Sequence, residues 1–170
     1  MKFYDCAPAP SPRLVRMFIA EKGLSEAIET VEVDLREKEQ MGEAFQAINP
    51  FLTVPTLETD DGMRFLTSNG CWRYLEETHP EPALLGTTIT EKARIADAVW
   101  RAEQEGFLAV GEALRNTAKG MVDRALTGPH NYAQIAELGA RGKQRVEHFF
   151  ELLDSTLADQ AFFAGDDFSA

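Results

Sequence analysis

The chain has 170 residues, 44% of them apolar and 26% charged, the balance of an ordinary globular protein with room for one domain or two small ones. Its formal net charge of −11 divides almost evenly, −6 over residues 1–79 (eight basic, fourteen acidic) and −5 over the rest (nine basic, fourteen acidic). Neither part has the basic field that a phosphate backbone requires, which excludes nucleic acid as an expected partner. No apolar run approaches the roughly 18 residues of a membrane span, which excludes a membrane partner of that kind.

The first third alternates strand and helix signals. Lys2–Tyr4 is a short apolar run that reads as a strand, with no apolar leader before it. That points to the cytoplasm, where Cys6 and Cys71 stay reduced. Prolines at 8, 10 and 12 forbid helix up to Pro12, which suits the first turn of one with Ser11 as its N-cap. Leu14, Val15, Met17, Phe18 and Ile19 then recur at helical spacing until Gly23 stops them. Ile28–Val33 reads as a second strand. A charged loop over 36–39 leads to a short helix near Glu43–Ile48.

Val54–Glu58 and Met63–Leu66 flank Asp60-Asp61-Gly62, a hairpin signal. Ser68 stands where the next helix should start, ahead of Cys71, Trp72, Tyr74 and Leu75. Residues 80–89 read as a linker. Beyond it strand signals vanish, and the remainder is all-helical. Thr90 is expected to cap one long helix that ends near Lys119-Gly120. Trp100 and Phe107, seven apart, fit one face of it and read as core. A second long helical pattern carries Ile135, Leu138, Val146, Phe149, Phe150 and Leu153.

The stretch Asn49-Pro50-Phe51-Leu52-Thr53-Val54-Pro55-Thr56-Leu57 is the most distinctive. Pro55 cannot donate a ladder hydrogen bond, so it belongs at the start or edge of a strand. A cis peptide at Val54-Pro55 would turn the backbone outward and leave the N–H and C=O of Val54 free to bind a peptide-like ligand. The block N-P-x-x-x-V-P-x-L, after a βαβ segment and before a hairpin, resembles the start of the third strand in cytosolic glutathione S-transferases. The resemblance extends to Tyr74-Leu75 and, at the other end, to Ala164-Gly165-Asp166-Asp167-Phe168-Ser169, which opens a buried central helix in that family. It is therefore end to end, and it implies a chain truncated at the C-terminus.

The fold implied is an α/β thioredoxin-like domain at the N-terminus, ordered βαβαββα around a four-stranded mixed sheet, plus an all-α C-terminal helical domain. The boundaries are 1–79, a linker at 80–89, and 90–170. The resemblance also implies glutathione as co-substrate with no metal, a small electrophilic second substrate, a homodimer and a role in detoxification. Ser68 matches the serine that grips the γ-glutamyl carboxylate. Thr67 falls where a carboxylate or amide usually stands, and cannot offer a charge to the ligand's ammonium. Val54 and Pro55 match the cysteinyl contact, and Gln40 a contact to the glycyl carboxylate.

The turn that normally carries the thiol activator is Ala9-Pro10-Ser11-Pro12. Ala9 holds the usual reacting position without a polar group, which makes Ser11 the candidate catalytic hydroxyl. Three scattered histidines and two distant cysteines make no metal set. Two alternatives accompany the transferase reading. One is a non-catalytic glutathione-binding or partner-binding protein. The other is a glutathione-dependent isomerase, dehalogenase or reductase, the last requiring a reactive Cys6.

Overall fold

The computed structural model describes all of residues 1–170. The backbone packs into two units: Met1–Pro82 with Thr127–Pro129, and Ala83–Leu126 with His130–Ala170. No helix is long and apolar enough to cross a membrane.

In the first unit the order is β1 (Lys2–Asp5), α1 (Pro10–Glu21), β2 (Glu29–Glu32), α2 (Glu43–Gln46), β3 (Thr56–Glu58), β4 (Arg64–Phe65) and α3 (Ser68–Thr78), with a 3₁₀ turn at Glu39–Met41. The strands form one sheet ordered β2-β1-β3-β4, β1 parallel to β2 and antiparallel to β3, and β3 antiparallel to β4. This is the expected thioredoxin-like arrangement. Both Phe3 and Tyr4 are buried although successive strand residues face opposite sides, so both faces of the sheet are covered. Tyr4 meets the edge of Phe45 from α2, its ring centroid 6.2 Å away, in a cluster completed by Val33. On α1, Val15, Phe18 and Ile19 are buried, and Phe18 stacks on Trp72 of α3 at 6.1 Å.

A buried cation fastens α1 to α3. The Lys22 side chain is fully buried, its Nζ 2.5 Å from Glu76, and it donates to the carbonyls of His79 (2.8 Å) and Pro82 (2.5 Å). The three acceptors make up for the water that the ammonium gives up.

The start of α1 corrects the sequence expectation, while α3 begins at Ser68 as expected. Helix α1 begins at Pro10 with Ala9 as N-cap, so Ser11 is not the cap. Two prolines in the first turn are tolerated because those positions have no intrahelical acceptor for an N–H, and their fixed φ already suits the helix. Helix α3 is capped by Thr67, whose Oγ1 accepts the Gly70 N–H at 3.1 Å.

The second unit is helical: α4 (Ile89–Arg101), a π-helical segment (Ala102–Phe107), α5 (Leu108–Arg115), a 3₁₀ turn (Lys119–Met121) and α6 (Ala136–Leu157). Thr88, not Thr90, caps α4 in a reciprocal capping box with Glu91. Trp100 is 60% exposed, which corrects its reading as core. The π segment lies between Trp100 and Phe107 and changes the rotation per residue, so a seven-residue spacing no longer returns to one face.

Helices α5 and α6 approach closely because Gly142 faces the α5 backbone. A Cβ on Gly142 would lie 2.5 Å from the Ala113 nitrogen, and one on Gly106 would enter the Phe149 ring. Glu112 clasps both Arg141 and Arg145 across this contact, and Arg145 also donates to the Gln104 carbonyl in the π segment.

Candidate functional site

Two helix N-termini meet beside the sheet of the first unit. At α1, Pro10 and Pro12 have no N–H, and the Arg13 N–H already bonds the Ala9 carbonyl at 3.3 Å. Of the first-turn donors only the Ser11 N–H remains. The Ser11 hydroxyl enters no hydrogen bond, so it is half-buried and uncommitted. At α3, Thr67 takes the Gly70 N–H through its hydroxyl and the Cys71 N–H through its carbonyl, which leaves the N–H groups of Ser68 and Asn69. The two turns are joined directly, the Ser68 hydroxyl donating to the Ser11 carbonyl at 3.2 Å. An anion at either terminus gains free N–H donors and the positive end of a helix dipole.

The loop before α1 is fixed from below. Buried Asp5 accepts from Arg16 Nη1 at 2.5 Å, while Nη2 of the same guanidinium holds the Ala7 carbonyl at 3.1 Å. The Ala9 N–H closes a turn on the Cys6 carbonyl at 2.8 Å. Cys6 is 4% exposed, and burial pushes the Cys71 thiol up to about 12. Both thiols are buried, whereas a reactive cysteine needs solvent access.

Val54-Pro55 is a cis peptide, as the sequence suggested. Pro55 is buried, and half-buried Val54 packs against the Tyr4–Val33–Phe45 cluster while its N–H and C=O enter no backbone hydrogen bond. The residue that shapes this loop was missed in the sequence. Asn49 is fully buried, and its Nδ2 donates to the Thr53 carbonyl (2.7 Å) and the Thr56 hydroxyl (3.1 Å). Its Oδ1 accepts the Phe51 N–H at 2.9 Å. Within that cage Leu52 adopts φ +57°, an uncommon left-handed conformation for leucine that the surrounding bonds must hold. The signal was an asparagine next to a proline, which marks a turn but not a buried hub.

Gln40 lies on the 3₁₀ turn at Glu39–Met41, its Oε1 buried and without a partner. A buried amide oxygen without a donor is costly. No hydrogen bond joins Gln40 to Ser11 or Ser68. The structure thus brings Ser11, Thr67 and Ser68 together and sets Val54 and Pro55 in one loop, while Gln40 stands on a separate turn.

Comparison with known proteins agrees with this fold. The family model described as the N-terminal domain of glutathione S-transferase matches residues 10–78. Glutathione S-transferase 2 of Saccharomyces cerevisiae is 31% identical over 170 residues, 99% of this chain and 70% of that protein. Maleylacetoacetate isomerase of Pseudomonas aeruginosa is 35% identical over 94 residues, 55% of this chain and 44% of that protein. The crystal structure of a glutathione S-transferase domain-containing protein from Marinobacter aquaeolei VT8 superposes with a TM-score of 0.90 at 34% identity, covering 99% of this chain and 80% of that one. With its sheet order, its paired helix N-termini and these matches, the chain belongs to the glutathione S-transferase family.

Proposed function

We propose that this chain is a glutathione S-transferase that conjugates glutathione to small apolar electrophiles. The observation that carries the reading is the Ser11 hydroxyl. It is not used as a helix cap, it has no partner, and it stands on the turn tied to Ser68. Glutathione supplies the thiol, whose thiolate is the nucleophile.

In this reading Ser11 donates a hydrogen bond that favours the thiolate over the thiol, the thiol proton passing to water. The N–H groups of Ser68 and Asn69 hold the γ-glutamyl carboxylate. The main chain of Val54, beside Pro55, pairs with the cysteinyl unit, and the Gln40 side-chain Nε2 donates to the glycyl carboxylate. Thr67 serves through its cap of α3 and gives the ligand's ammonium no charge. Holding the thiolate in place converts a bimolecular encounter into a positioned one. A sulfur–carbon bond forms, and the electrophile's leaving group departs with the bonding pair. Residues 1–79 make up the glutathione-binding domain, 80–89 the linker and 90–170 the helical domain. The working protein is a cytoplasmic homodimer acting in detoxification.

One feature favours a second reading, a glutathione-binding protein without catalysis: Ala9 at the usual reacting position has no polar group. Initial rates with an activated aryl halide separate the two. The transferase reading expects Ser11→Ala to lower kcat by about tenfold or more, the low end of what one hydrogen bond to a charged group contributes. A full rate in that variant overturns the role of Ser11. A wild-type chain that binds glutathione but shows no rate supports the non-catalytic reading.

A further inference from the structure

Residues 113–135 hold Arg115, Lys119 and Arg124 against one acid, Asp123, a net +2 in a chain whose total is −11. The structure closes them into a loop between α5 and α6. The Ile135 N–H donates to Asn116 Oδ1 at 2.9 Å, and Gln134 Nε2 to the carbonyls of Arg115 and Ala118, each at 2.8 Å. Two arginines hold the loop from within. Arg115 Nη1 donates to the Arg124 carbonyl at 3.0 Å, and Arg124 Nη1 to the His130 carbonyl (3.2 Å) and Asn131 Oδ1 (3.1 Å).

The Arg115 side chain is half-buried, and that carbonyl is its one acceptor, although a guanidinium carries five N–H donors. The carboxylate nearest to it in sequence, Glu112, clasps Arg141 and Arg145 instead. Burial, and then the like charge of Arg124, hold the Arg115 pKa below its ordinary value. A partly desolvated cation beside a second cation, with N–H groups to spare, is stabilised by an anion close to both.

We propose that Arg115 and Arg124 form a binding site for a small oxyanion, a phosphate or a carboxylate. Arg115 supplies the planar pair of N–H groups that engages two oxygens of one group, and Arg124 adds charge. The site lies wholly within the helical unit and uses neither Ser11 nor Ser68. It stands whether or not the chain is a transferase, and its test contains no glutathione.

Inorganic phosphate and succinate are titrated calorimetrically into the 170-residue chain, with ionic strength held constant by sodium chloride so that general screening is matched. Saturable one-to-one binding is expected, with a dissociation constant of about 1 mM for the better of the two. The tighter ligand identifies the class of oxyanion. Arg115→Gln weakens its binding by about tenfold or more, the loss of a hydrogen bond between charged groups. Arg115→Lys keeps the charge without the fork and falls between that variant and the wild type. Arg101→Gln removes an exposed charge paired with Glu105 and leaves binding unchanged.

Because Arg115 also holds the loop, the wild type is read directly: the bound anion shifts the Arg115 Nε–H resonance in proton–nitrogen spectra. Absence of saturation up to about 30 mM of either anion overturns the proposal. So does binding that Arg115→Gln leaves unchanged, or saturation without movement of the Arg115 resonance.

Discussion

Asn49 is the residue on which the Val54-Pro55 loop depends, and its removal has a calculable cost. Asn49→Ala deletes two donated bonds, to the Thr53 carbonyl at 2.7 Å and the Thr56 hydroxyl at 3.1 Å, and one accepted bond from the Phe51 N–H at 2.9 Å. At about 1 kcal/mol net for each, the bonds alone give about 3 kcal/mol. Thr56 is fully buried, so its stranded hydroxyl adds about 1 kcal/mol more. The total is about 4 kcal/mol, or on the order of 10 °C in melting temperature for a chain of this size. Asn49→Asp keeps the acceptor for Phe51 and can accept from the Thr56 hydroxyl, but it sets a carboxylate oxygen against the Thr53 carbonyl.

Urea unfolding followed by Trp72 fluorescence in a Trp100→Phe background reports on the first unit alone, since the chain has two tryptophans. The expected result is a lower midpoint with an unchanged slope. Glutathione affinity should also fall under conditions where the variant remains folded, because the backbone of Val54 is no longer held. A stability loss below about 1 kcal/mol would refute the reasoning, since even one net hydrogen bond exceeds it.

Three other outcomes follow from the packing. Lys22→Met leaves the Glu76 carboxylate without its buried ammonium and is expected to cost about 3–5 kcal/mol. Lys22→Met with Glu76→Leu should recover most of that in thermal melting. Gly142→Ala forces a Cβ to within 2.5 Å of the Ala113 nitrogen. Backbone cannot swing aside, so a loss of about 2 kcal/mol is expected, seen as faster amide exchange in α5 and α6. Hydrogen bonds from the Thr87 hydroxyl and the Thr87 and Thr88 N–H groups hold the Glu91 carboxyl at about 2, below its ordinary 4.5. A depressed carboxyl adds stability that is complete above 4.5 and lost as pH falls towards 2. Glu91→Gln should flatten the pH dependence of α4 melting in that window, and an unaltered slope would contradict the capping role.

Much of the first unit was legible because its signals are local and chemical. Pro55 deletes a ladder donor wherever it stands, and Asp60-Asp61-Gly62 needs no tertiary context to turn. The helix caps were legible only to within two residues. Ser11 and Thr90 are good cap residues, yet Ala9 and Thr88, each two positions earlier, take the role. Which residue leaves the helical region depends on backbone geometry that composition does not carry.

Long-range facts were not legible at all. Lys22 reads as a surface lysine until Glu76 and the carbonyls of His79 and Pro82 gather around it, 54 to 60 residues later in the sequence. Asn49 reads as a turn residue until Thr53 and Thr56 fold over it. The π segment hid the exposure of Trp100, because a periodicity argument assumes that the period does not change.

The most direct test of the central claim is a calorimetric titration of glutathione into the purified 170-residue chain. The account predicts saturable one-to-one binding that weakens in Asn49→Ala. A folded chain that takes up no glutathione would contradict it.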